Sequence, residues 1–109
     1  MKELSKNIEL LLEIMNKLII GIMEEDEKAE KIYLPQFTDA MLNTFPRIIS
    51  AYTLPEFEEV KQDMQYWTGQ VKRILEALES RDHFLLIDVL KFETMENLEI
   101  FKEMIGGME

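Results

Sequence analysis

Few residues of this chain are equipped for acid–base or metal chemistry. There are 22 Asp and Glu residues among 109, a single histidine and no cysteine. Thiolate nucleophiles, Cys-ligated zinc and disulfides are thereby excluded. A di-metal carboxylate centre in a helical protein needs Glu-x-x-His on two helices and an inward Glu on two more. His83 is the one histidine and has no glutamate three residues before it. The acids gather instead at Glu24–Glu30, Glu56–Asp63 and Glu93–Glu103, with Glu96, Glu99 and Glu103 along one helical stripe. Such a stripe reads as a solvated anionic face. His83 stands between Asp82 and Phe84 at a helix start, where a partly exposed imidazole bonded to a carboxylate or cap is expected. No GxSxG or GxxxxGK[ST] occurs, and four glycines are too few to cradle a phosphate. The residues therefore predict no catalytic group, no metal and no cofactor.

Asp88 is the acid that breaks this pattern. It is embedded in Phe84-Leu85-Leu86-Ile87-Asp88-Val89-Leu90 and on a helix shares a face with Phe84, Lys91 and Met95. A buried carboxylate without a partner costs several kcal/mol or stays protonated. The reading is a possible buried ionic group paired with Lys91, Arg47 or Arg73, fixing helix register rather than binding a ligand.

The elements that must position these groups are helices. Leu4, Ile8, Leu11, Met15, Leu18 and Ile22 form one stripe over about 3–24, widened by Leu12, Ile14, Ile19, Ile20 and Met23. The acidic run that follows either prolongs this helix or frays. Phe37, Met41, Phe45, Ile48 and Tyr52 define a second helix over about 35–52, kinked or broken near Pro46, the kink being favoured because the face stays in phase. Phe57, Val60, Met64, Trp67, Val71, Ile74 and Leu78 make a heptad seam for a third helix over 55–80. Thr53 and Glu56 read as its capping box, and Gly69 as a point of close helix approach. Phe84, Ile87, Leu90, Met95, Leu98, Phe101 and Ile105 mark a fourth over 82–105, ended by Gly106-Gly107. Leu34-Pro35-Gln36-Phe37 and Leu54-Pro55-Glu56-Phe57 read as one helix-start device used twice. No strand pattern occurs. The fold class is all-α, an antiparallel four-helix bundle forming one domain over 1–109.

Charge and hydropathy narrow the function further. With 12 basic residues against 22 acidic ones, the net charge of −10 disfavours nucleic acid. The apolar run Leu18–Met23 is far shorter than a membrane span, and Glu9, Glu13 and Lys17 interrupt what would be a signal peptide, so a cytoplasmic location is expected. What remains is protein binding. The wide apolar face of the first helix predicts an interaction surface at Leu12, Ile19, Ile20 and Met23, used in a homodimer. Tyr66, beside Trp67 but on another face, is a further candidate for that surface. Methionines on the apolar stripes suit core filling and helix-binding grooves alike. The alternative is an adaptor whose acidic rim steers a basic amphipathic helix.

Arg81–Leu98, RDHFLLIDVLKFETMENL, resembles a recurring helix of small uncharacterised helical proteins of Gram-positive bacteria, through Asp82, Asp88, Leu90, Phe92 and Glu93. The chain lacks the proline those proteins often carry near Met95–Glu96. The resemblance implies a bacterial helical protein and no activity. In size, charge and helical content the chain is also similar to bacterial flagellar and secretion export chaperones, and that likeness implies helix binding.

Overall fold

The computed structural model describes residues 1–107 and is helical throughout. In chain order it contains α1 (Lys2–Met23), α2 (Glu27–Ala51), a 3₁₀ segment (Pro55–Val60), α3 (Asp63–Ser80), α4 (His83–Val89), a π turn (Leu90–Thr94) and α5 (Met95–Gly106). Among the described residues there is no strand.

The first stripe is buried as its spacing predicts: Leu4, Ile8, Leu11, Met15, Leu18 and Ile22, with Ile14 and Ile19 beside them. Glu25 then turns the chain in the left-handed region (φ 55°). Asp26 caps α2, its carboxylate accepting the Ala29 amide at 3.1 Å. The acidic run thus neither prolongs α1 nor frays. It starts α2 eight residues before the expected Pro35, because Asp26 supplies a cap and Glu27 and Glu30 favour the positive helix end. Pro35 and Pro46 both lie inside an unbroken α2. Each deletes the donor for a carbonyl four residues back, at Lys31 and Leu42. Both are exposed residues, so water has access to these turns.

Contacts fix how α1 and α2 run. Arg47 near the end of α2 reaches Glu3 at the start of α1 (3.3 Å). At the other end, a Cβ built on Gly21 would stand 3.1 Å from the Ala29 methyl. The two helices therefore pack antiparallel, and Gly21 permits their close approach near the turn.

The second half of the chain departs from its periodicity in three places. The helix expected over 55–80 is split at Lys61-Gln62 into the 3₁₀ segment and α3. Thr53 does not cap it: its hydroxyl donates to Ser50 O at 2.6 Å, closing the last turn of α2. Gly69 faces open space rather than a neighbouring helix. Asp82 does cap α4, accepting from Leu85 N at 3.0 Å.

The helix expected over 82–105 passes through the π turn. A π turn holds an extra residue, so the face before it rotates relative to the face after it. The buried residues are accordingly Leu86, Val89 and Leu90 ahead of the turn, and Leu98, Phe101 and Ile105 beyond it. Phe84, predicted on the apolar seam, is 84% exposed for this reason.

One end of the core is aromatic. Phe101 lies 5.6 Å from Tyr52, 5.9 Å from Phe57 and 6.0 Å from Trp67 between ring centroids. Trp67 also touches Phe45 at 5.7 Å and donates its indole N–H to the Tyr52 hydroxyl at 2.8 Å. Burying each such ring contributes about 1.5–3 kcal/mol, with further gain from edge-to-face geometry.

Candidate functional site: an acidic-rimmed groove and an aromatic hollow

The end of α1 and the π-turn region enclose an open groove. Ile19, Ile20 and Met23 form one wall, Lys91 and Met95 the other, and Glu96 and Glu99 the rim. Ile20 is 45% and Met23 56% exposed, while Met95 is half-buried. Ile20 and Met23 were expected in one surface with Leu12 and Ile19, and of the four only these two are exposed. Ile19 is instead buried at 4%, and Leu12 packs half-buried against the core, because α2 on one side and α5 on the other cover most of α1. Tyr66 is 44% exposed on a different face, where its hydroxyl accepts from Asn97 Nδ2 at 2.7 Å. The five residues expected in one surface thus divide between a groove, the core and a second site.

Asp88 is exposed, which corrects the expectation of a buried ionic group. It shares the face of Phe84, and the π turn carries that face out to solvent. Its proposed partners are engaged elsewhere or point away. Arg73 pairs with Glu93, Arg47 with Glu3, and Lys91 lies over the Phe92 ring at 5.5 Å. The carboxylate that joins a side-chain network is the half-buried Glu93. It accepts from Gln70 Nε2 at 3.1 Å as well as from Arg73.

Behind Glu93, the Thr94 hydroxyl lies 2.6 Å from Gln70 Oε1 and 2.9 Å from the Val89 carbonyl. One proton serves one acceptor at a time. Gln70 and Thr94 are buried, and their side chains take the place of apolar packing between α3 and the π turn. Sequence reasoning missed this network. Its trace is the five-residue step from Leu90 to Met95, with Thr94 standing where a helix would bury an apolar residue.

A second hollow opens between α3 and α5, with Tyr52, Trp67 and Phe101 at its floor and Asp63, Tyr66, Asn97, Ile100 and Met104 around it. Burial raises the Tyr52 pKa; the Trp67 hydrogen bond opposes this and the Asp63 charge adds to it. The Tyr66 pKa is also raised, first by desolvation and then by Glu93, against Arg73 and with Glu96. At both hydroxyls desolvation is the largest cause.

His83 Nε2 meets Glu30 at 2.8 Å, tying the start of α4 to the start of α2. That pair stands apart from both hollows. Among the described residues no three His, Cys, Asp or Glu side chains converge to hold a metal ion. Nor, among the described residues, is any helix long and apolar enough to cross a membrane. In comparisons with protein-family models, curated proteins and solved structures, none matched this chain.

Proposed function

We propose that the protein is an antiparallel four-helix bundle, with α4, the π turn and α5 as its fourth rod. It acts in the cytoplasm without catalysis, receiving a basic amphipathic helix of a partner protein in the groove beside α1. The pairwise contacts support the architecture: Glu3 with Arg47, Glu9 with Lys102, and Gln70 with Thr94 each join residues that antiparallel neighbours bring together, while Glu30 with His83 joins the starts of the second and fourth rods, which run the same way in such a bundle.

The observation that carries the function is exposed Ile20 and Met23 opposite Met95, rimmed by Glu96 and Glu99. An apolar floor with methionines suits the varied side chains of a helix face, and acidic edges suit lysines and arginines flanking it. Self-association was expected from the wide apolar face of α1, yet Ile14 and Ile19 are covered within the chain. A net charge of −10 also opposes bringing two copies together.

The test is titration of the protein with a synthetic leucine–lysine amphipathic helix of about five turns, or about 18 residues. Binding should weaken about tenfold or more between low and high salt, because screening shortens the reach of the acidic rim. Ile20→Ser should weaken it by a similar factor, and Leu42→Ser, an exposed apolar change outside the groove, should not. Salt-independent binding, or no binding, overturns the proposal. So does concentration-dependent dimerisation abolished by Ile20→Ser, which assigns the groove to a second copy.

A further inference from the structure

Four of the six phenylalanines are buried, whereas Phe84 is 84% and Phe92 63% exposed. The exposed residues Phe84, Asp88, Lys91 and Phe92 recur at helical spacing, so both rings stand on one stripe that the π turn leaves outward. Eight residues at 1.5 Å rise set the rings roughly 12 Å apart along the axis. Neither ring lines the helix-binding groove, although Lys91 borders both surfaces. Rings of roughly 200 Å² each, exposed to this degree, offer about 300 Å² of apolar area. A single exposed ring needs no explanation, but two on one stripe make a surface of the kind partners cover.

The charges between the rings indicate which partner. Asp88 and Lys91 enter none of the ion pairs among the described residues, and the Lys91 ammonium lies 5.5 Å from the Phe92 ring centre. The stripe therefore carries one free acid and one free base, locally neutral in a molecule of charge −10. It is also self-complementary. Phe84 lies four residues before Asp88 and Phe92 four after it, so a two-fold axis beside Asp88 sets each Phe84 against the other copy's Phe92. Lys91 is then offset from the other copy's Asp88 by three residues, roughly 4.5 Å along the helix, within reach of a lysine. We propose that a second copy of this chain docks on this stripe, burying the four rings and pairing each Asp88 with the other copy's Lys91. The rings of two copies bury about 600 Å², half of the roughly 1,200 Å² at which specific interfaces begin, so the dimer is weak.

Sedimentation equilibrium of the full chain, without any helix ligand, tests this. It is run at physiological salt, where a Debye length of about 8 Å screens most of the repulsion between two acidic molecules. A monomer–dimer equilibrium with a Kd on the order of 100 µM is expected. Phe84→Ser and Phe92→Ser, both exposed changes, should each raise that Kd about tenfold or more without lowering the thermal unfolding midpoint. Asp88→Lys should raise it about tenfold by setting like charges together, and adding Lys91→Asp should restore it to within about threefold, because the swapped pair is again complementary. Ile20→Ser should leave it unchanged. A strict monomer up to about 1 mM overturns the proposal, as does a Kd indifferent to Phe84→Ser, or a charge swap that does not rescue Asp88→Lys. Loss of the dimer in Ile20→Ser but not in Phe84→Ser also overturns it, by placing the second copy in the groove beside α1.

Discussion

The α1–α2 hairpin and the α3–α5 half bury comparable apolar rows by different means. In the hairpin the core contacts are apolar apart from buried Thr44 and the Asn7 amide nitrogen, and the ion pairs Glu3–Arg47 and Glu13–Lys17 stay at the surface, where such pairs are worth little. In the second half, buried Gln70 and Thr94 stand between α3 and the π turn, with Arg73 and Glu93 closing the network at the edge. That network coincides with a rotated helix face and with the large exposed rings Phe84 and Phe92. A continuous helix would have turned Phe84 toward the core. The comparison teaches that an extra residue beside a buried polar pair can turn a helix face outward, here leaving Phe84 and Phe92 exposed.

The strongest way to break the comparison is at the rings both halves share. Phe101→Ala removes contacts to Tyr52, Phe57 and Trp67 and should cost about 3–5 kcal/mol in urea unfolding. A loss below about 1 kcal/mol would mean the ring cluster is not the seam of the core. Next in size is Thr94→Val, which leaves Gln70 Oε1 unpaired and should cost about 1–3 kcal/mol. Adding Gln70→Leu should recover part of that loss, because the stranded acceptor is gone; full additivity of the two changes would show that they are not coupled.

A smaller contrast sits at the glycines. Gly69→Ala, whose new methyl would meet, among the described residues, nothing within 4 Å beyond its chain neighbours and its own helix's backbone, should stabilise α3 by about 0.5–1 kcal/mol. Gly21→Ala should fall short of that gain, since its methyl would meet Ala29 at 3.1 Å. Equal gains at both positions would contradict the close approach of α1 and α2. Smallest of all, Glu3→Gln should change stability by less than about 1 kcal/mol, as its partner Arg47 is also solvated.

The all-helical class and the buried face of α1 were legible because every turn of that helix repeats the same apolar spacing. The start of α2 was not, because two start devices compete there. The Asp26 cap acts locally and earlier, and Pro35 is then tolerated inside the helix it was expected to open. Thr53 and Glu56 matched a capping box by type alone; the hydroxyl had a nearer acceptor in Ser50. Asp88 and Phe84 were misplaced together, since a regular helical period cannot register the extra residue of the π turn. Of the candidate surface, Ile20 and Met23 are exposed while Ile19 and Leu12 are covered, a division that spacing on α1 alone does not make because it depends on how far the neighbouring helices reach around it. Tyr66 was read as exposed, but its place beside Asn97 is tertiary and leaves no mark in local spacing.

Methyl NMR of the isoleucines and methionines during titration with the leucine–lysine helix tests the helix-binding groove most directly. Shifts should concentrate at Ile20, Met23 and Met95 and diminish as salt is added, while Ile32 and Ile100, exposed outside the groove, stay unmoved. Shifts spread evenly over all exposed methyl groups, or centred at Ile32 or Ile100, would contradict it.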